Sequence, residues 1–339
     1  MKGIVCETVE SFRYRADLPE PEMGPGEAIV GIRRIGICGT DLHAYKGNQP
    51  FFEYPRILGH ELAGVIERIS PNAAGLQAGD QVGIVPYLHC GSCIACRNGK
   101  TNCCTSMKVL GVHVDGGMRE RIAVPVTHLI RTEGLSLDEA AMLEPLAIGA
   151  HAVRRSDIRP GETALVIGGG PIGLGVMAFA KHRGAKVIAM DLNEERLEFC
   201  RSWAGADLKV NAAEDPMGTL LAGNGSELPS VVFDATGSAR SMAQAFDYVS
   251  HGGKLVYVGL VKADITFHDP DFHKKEMTLM GSRNAVREDF ENVMALVRAG
   301  GVDINRYITH RATLDQMIGR FADWLMPESK VIKAMVELA

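Results

Sequence analysis

The sequence predicts an α/β chain in which a mainly β first domain is followed by a doubly wound parallel sheet. Three observations predict it. Up to about Pro125, short apolar runs are broken by glycine and proline. From Ala164 onward, strand-like and helix-like segments alternate. Between them Ser136-Leu137-Asp138-Glu139 has the pattern of a helix capping box. A length of 339 residues suits roughly two domains, and 46% hydrophobic with 23% charged residues is globular composition. The net charge of −5 argues against nucleic acid or a membrane surface as partner. Met1-Lys2-Gly3-Ile4-Val5-Cys6 is soon interrupted by Glu7, Glu10 and Arg13, so no export signal is expected and the cytoplasm is the expected location.

In the first part, Ala28–Ile32, Gly64–Ile69 and Asp80–Val85 read as strands with turns between them. The capping box then predicts a helix reaching to about Val153. The strands expected next are Ala164–Ile167, Val187–Met190, Leu208–Val210, Val231–Asp234, Lys254–Val258 and Thr278–Met280, with helices such as Pro171–His182 and Ser238–Val249 between them. Amphipathic helices at Glu288–Ala299 and Leu314–Leu325 and a last apolar strand, Val331–Val336, follow. The expected division is 1–150 with 285–339 returning to it, and 151–284 as the parallel-sheet domain.

Strand Ala164–Ile167 runs into Gly168-Gly169-Gly170-Pro171-Ile172-Gly173, a G-x-G-x-x-G match between a strand and a helix. Glycines there permit a tight turn and close approach of the backbone to a pyrophosphate, and the helix that follows directs its positive end at that anion. Asp191 ends a second strand eighteen residues after Gly173, where a carboxylate suits the ribose hydroxyls of NAD and repels the 2′-phosphate of NADP. The competing reading is a glycine-rich turn and a strand-end carboxylate without a nucleotide.

Five of the eight cysteines lie between Cys90 and Cys104. Without an export signal, clustered thiols point to metal rather than disulfides. Cys90, Cys93, Cys96 and Cys104 supply four thiolates, a closed tetrahedral zinc shell whose role is structural. The rival, an iron–sulfur cluster, requires a continuation that this sequence lacks. Cys103 competes with Cys104 for the fourth position. A second, dispersed set comprises Cys38 in Gly36-Ile-Cys-Gly-Thr40-Asp-Leu-His43, His60 and Glu61 in Gly59-His-Glu-Leu-Ala-Gly64, and Glu144 in Leu143-Glu-Pro-Leu146. One thiolate, one imidazole and one or two carboxylates make a mixed zinc shell with room for an exchangeable ligand. Taken singly, Cys38 also reads as a small buried hydrophobe and His60 as a core histidine, whereas an unpaired buried carboxylate at Glu144 is costly.

In this order, G-I-C-G-T-D, G-H-E, the four-cysteine loop, L-E-P-L and the glycine loop resemble the zinc-dependent medium-chain alcohol dehydrogenases, in their sorbitol and threonine dehydrogenase branch, essentially end to end. One departure is Ser70, where the family usually has Gly or Ala. The resemblance implies a GroES-like catalytic domain in two pieces around a Rossmann domain, with the active site in the cleft. It implies two zinc ions per chain, NAD, and a homodimer or homotetramer joined through the edge of the nucleotide sheet, which Lys254–Val258 and Thr278–Met280 would supply. It makes Cys38, His60 and Glu144 catalytic zinc ligands, with Glu61 a ligand or an exchanging one, and the four lobe cysteines structural ligands. Thr40 would accept the substrate proton and His43 pass it on, against the readings of a turn residue and a surface histidine. Arg283 would contact substrate, against the reading of an interdomain ion pair.

The stretches Gly47–Pro55, Gly111–Gly117, Asp269–Glu276 and Gly281–Ala285 look most like bacterial sugar-acid dehydrogenases. The expected reaction is oxidation of a secondary hydroxyl of a polyol or an L-galactonate-like sugar acid. L-threonine and sorbitol are the rival substrates, and a non-catalytic binding protein on the same scaffold is the rival class.

Overall fold

The computed structural model describes residues 1–48 and 52–339; residues 49–51, part of the Gly47–Pro55 stretch, lie outside it. The chain divides into two compact units, Met1–Glu144 with Ile304–Ala339, and Pro145–Asp303. The expected boundaries at 150 and 284 therefore move to 144 and 303. The second shift has a local cause. Helix Arg287–Arg298 carries Asp289, whose buried carboxylate binds His151 Nδ1 at 2.8 Å and Arg154 Nε at 2.7 Å, so this helix is fastened within the second unit.

The first unit is built on a seven-stranded sheet in the order Ile308–Thr313, Lys333–Glu337, Glu27–Ile37, Glu61–Ile69, Gln81–Ile84, Leu129–Arg131, with Arg121–Pro125 also paired to Glu27–Ile37. Glu27–Ile37 is the eleven-residue central strand, and its apolar side chains, among them Val30, Ile32 and Ile35, lie in the main core cluster. Register determines what collects at its end. Gly36 pairs with Glu61 on one side, and Ile37 pairs with Ala334 on the other. Cys38, Glu61 and Lys333 thus converge from three distant parts of the chain.

The second unit holds a six-stranded, all-parallel sheet in the order Leu208–Asn211, Lys186–Asp191, Thr163–Ile167, Val231–Asp234, Lys254–Tyr257, Thr278–Gly281. This is the 3-2-1-4-5-6 order of doubly wound dinucleotide-binding sheets. All six predicted strands are present within a residue of their expected ends. Thr278–Gly281 alone forms the outer edge on that side. Lys254–Tyr257 is paired on both sides, which corrects the expectation that it would share the edge.

Helix Pro171–His182 matches its expected limits. The expected helix from Ser136 to Val153 is two helices, Leu137–Ala141 and Leu143–Ser156. Its start is as anticipated: Ser136 Oγ accepts the Glu139 N–H, and Glu139 accepts the Ser136 N–H at 2.6 Å. The break follows from Pro145, which has no N–H and whose ring would collide with the carbonyl four residues back, that of Ala141. Ser238–Val249 is helical only over Ala239–Gln244. The carbonyls of Phe246, Asp247 and Val249 turn instead to Lys275 Nζ at 3.0–3.2 Å. Leu314–Leu325 shortens to Met317–Trp324. No helix among the described residues is long and apolar enough to cross a membrane.

Candidate active site

The short helix Gly39–Tyr45 starts at Cys38 because Asp41, its third residue, returns to accept the Cys38 N–H at 2.9 Å. The other oxygen of Asp41 accepts the Gly59 N–H at 3.2 Å and lies 3.8 Å from His60 Nδ1. One wholly buried carboxylate therefore ties the segment carrying Cys38 to the segment carrying His60. Donor atoms of Cys38, His60 and Glu61 lie within 4.8 Å of one another. Thr40 is half-buried and His43 exposed on the same helix.

Glu144 stands outside that trio but is buried beside it. Its Oε1 accepts a hydrogen bond from the Tyr87 hydroxyl, while its Oε2 has no partner among the described residues. Burial pushes the Glu144 carboxyl up to about 7, against the pull of His60. Burial also pushes the Tyr87 phenol well above its ordinary value, with Glu144 acting in the same direction. For His60 burial works downward, but Asp41, Cys38 and Glu144 outweigh it and hold the ring well above its usual range. His60 Nδ1, also without a hydrogen-bond partner among the described residues, faces the Asp41 carboxylate at 3.8 Å. An orphaned buried carboxylate oxygen beside a thiol, an imidazole and a second carboxylate is what a divalent cation would satisfy. The residues fit zinc.

Glu61 is differently held. Both its oxygens receive Lys333 Nζ, at 2.6 and 2.9 Å, and the same ammonium donates to Ile37 O at 3.2 Å. Lys333 is 2% exposed and Glu61 not at all. The carboxylate needs Gly36 beneath it, since a Cβ there would stand 2.0 Å from Glu61 Oε2 and 2.7 Å from Met142 Cε.

The second cluster is complete by itself. Cys90, Cys93, Cys96 and Cys104 present sulfurs within 4.8 Å of one another, and the exposed Cys103 is not among them. Backbone N–H groups aim at the sulfurs: Cys93 at Cys90 Sγ, and Cys90 and Ser106 at Cys104 Sγ, each at 3.3 Å. Hydrogen bonds from the Ser92 side chain and nearby backbone lower Cys90 to about 7, and those from the Cys96 and Thr105 backbone lower Cys93 to about 5. Burial instead raises Cys96 to about 12. Four sulfurs within mutual reach, two of them favoured as thiolates by hydrogen bonds, fit a closed zinc site. Cys104→Ser should lose one zinc per chain and lower the melting temperature by roughly 5–10 °C, or about 2–3 kcal/mol, whereas Cys103→Ser should change neither. Zinc analysis and thermal unfolding check both outcomes.

In the second unit the glycines divide their work. Gly168 has φ +102°, a conformation side chains rarely adopt. A Cβ on Gly173 would stand 1.8 Å from Gly168 O, whereas one on Gly170 would meet no protein atom within 4 Å. Gly173 thus lets the helix pack against the turn, and Gly170 leaves open space beside a helix start that no side chain caps. Asp191 Oδ2 accepts the Gly169 N–H at 2.6 Å and Oδ1 the Asn193 N–H at 2.9 Å, so the strand-end carboxylate also braces the turn. Arg283 is exposed, beyond strand Thr278–Gly281.

Two family models match, the alcohol dehydrogenase GroES-like domain over residues 24–134 and the zinc-binding dehydrogenase over 171–299. The L-galactonate-5-dehydrogenase of Escherichia coli K12 is 42% identical over 99% of this chain and 98% of its own. This chain belongs to the zinc-binding alcohol dehydrogenase family. A second relative, the L-idonate 5-dehydrogenase of Vitis vinifera, is 31% identical over 87% of this chain and 83% of its own. The solved alcohol dehydrogenase rspB of E. coli CFT073, complexed with NADH, superposes with a TM-score of 0.92 at 30% identity, covering 100% and 99% of the two chains. The alcohol dehydrogenase described here is accordingly a zinc-dependent oxidoreductase with a GroES-like domain.

Three residues of this dehydrogenase's site escaped sequence reasoning. Asp41 carried a usable signal, being the acid at the third helical position after Cys38. Tyr87 and Lys333 carried none, since an ordinary strand tyrosine and a lysine near the C-terminus acquire partners only through tertiary contacts.

Proposed function

We propose that the enzyme oxidises a secondary hydroxyl of an L-galactonate-like sugar acid or polyol to the ketone, reducing NAD to NADH and releasing one proton. The observation that carries this is the cluster of half-buried Cys38 with buried His60 and Glu61, beside the orphaned Glu144 Oε2, in a chain 42% identical end to end to an L-galactonate-5-dehydrogenase. Cys38, His60 and Glu144 hold the catalytic zinc, Glu61 is kept in reserve by Lys333, and Cys90, Cys93, Cys96 and Cys104 hold the structural zinc. When bound, zinc and NAD supply a Lewis acid that lowers the pKa of the substrate hydroxyl and an acceptor for the hydride. Thr40 Oγ1 takes the substrate proton, and the exposed His43 ring passes it to solvent. Gly168, Gly170, Pro171, Ile172 and Gly173 receive the pyrophosphate, and Asp191 turns to the ribose hydroxyls. Arg283 offers a cation to the substrate carboxylate. The largely exposed edge strand Thr278–Gly281 supports assembly into a homodimer or homotetramer through that edge.

The test is NADH formation with L-galactonate, related aldonates, sorbitol and L-threonine at equal concentration. A sugar acid is expected to give the highest kcat/KM. Preference for L-threonine would overturn the substrate reading, and a relative 31% identical to this chain is an L-threonine 3-dehydrogenase from Salmonella gallinarum. Turnover with none of these compounds would overturn the reading of the substrate as a sugar acid or polyol.

A further inference from the structure

We propose that Tyr87 is a positioning residue for the catalytic metal: its hydroxyl holds one oxygen of Glu144, so that the other alone faces the metal site. The proposal rests on the reading of Glu144 as a zinc ligand. A carboxylate has two equivalent oxygens and rotates about its last bond, so a ligand carboxylate is well defined only when something occupies the second oxygen. Here the division is explicit. Oε1 takes the Tyr87 hydroxyl, and Oε2 is buried without a partner among the described residues. Both side chains are 3% exposed, so water does not easily replace the phenol.

Tyr87 is itself fixed. It lies on a two-residue strand paired with Lys108–Val109, Tyr87 opposite Val109. Its carbonyl lies 3.2 Å from His128 Nε2 and 3.3 Å from His89 Nδ1. The buried His128 ring is in turn 3.1 Å from Thr127 Oγ1, and its carbonyl accepts the Val85 N–H at 2.8 Å. A phenol on so constrained a backbone delivers its O–H to one place. Glu144, by contrast, starts the second of two helices separated by a break at Met142, and needs an external hold.

Tyr87→Phe removes only the hydroxyl oxygen. Zinc affinity is read by competition with a chromogenic chelator, and site geometry by the visible absorption of the Co2+-exchanged protein. Loss of such an outer partner weakens metal binding about 10- to 100-fold. That loss is expected at one of the two zinc sites, with a changed cobalt spectrum, while the lobe zinc is retained. In a Glu144→Ala background the further change on Tyr87→Phe should vanish, because the hydroxyl then has nothing to hold. Unchanged affinity and spectrum in Tyr87→Phe, or an equal loss in both backgrounds, would overturn the proposal. Glu144→Ala that keeps full zinc affinity would instead sink the ligand reading beneath it. Should Tyr87→Phe not fold, Tyr87→His, which retains a ring N–H, carries the same comparison and is expected to fall between the wild type and Glu144→Ala.

Discussion

Lys333→Met is expected to destabilise the protein by about 3–5 kcal/mol, because it leaves the fully buried Glu61 carboxylate without its counter-ion. Against a total of roughly 5–15 kcal/mol, that is a large share. The loss belongs to the unpaired charge rather than to the missing attraction, so Glu61→Gln combined with Lys333→Met should recover at least half of it. Burial works to lower the Lys333 pKa, but Glu61 and Tyr307 outweigh it, and the folded value lies above the ordinary one. A raised lysine contributes stability that is complete below its unfolded value of about 10.4 and is lost only as pH rises through the folded value. Lys333 therefore adds no pH dependence of its own between pH 6 and pH 8, and the difference between wild type and variant should be at least as large at pH 8 as at pH 6. Urea unfolding at both pH values measures it, and a difference below about 1 kcal/mol would mean that Glu61 is not held as described.

The second large effect is on the nucleotide turn, where two glycines separate folding from binding. Gly170→Ala should weaken NADH binding about 100-fold while the melting temperature stays within roughly 2 °C, since its methyl would meet no protein atom but would enter the space left for the cofactor. Gly173→Ala should weaken binding as much and also destabilise the protein by about 1–3 kcal/mol, because its methyl would stand 1.8 Å from Gly168 O and force the helix away. NADH fluorescence titration and thermal unfolding distinguish the two. Binding retained in Gly170→Ala would remove the pyrophosphate from this turn.

The six parallel strands were legible because they stand as short apolar runs between turns. The four-cysteine lobe was legible because its four thiols lie within fifteen residues, and geometry gathers Cys104 rather than Cys103 with the other three. The helix break after Ala141 was available in Pro145 but was hidden by the apolar pattern that runs through it. The helix ending early at Gln244 was not available, because the group that takes up the carbonyls beyond it is Lys275, on a separate segment.

The sequence by itself determined which atoms can bind metal and where the backbone must turn, because ligand chemistry and glycine conformation are properties of the residue. Tertiary structure decided how those atoms are held. Lys333 meets Glu61 across 272 residues only because the register on both sides of Glu27–Ile37 brings them to one end of the sheet. Tyr87 reaches Glu144 across 57 only because a strand and a helix start are packed together. Such pairings depend on register and packing, which no local pattern encodes.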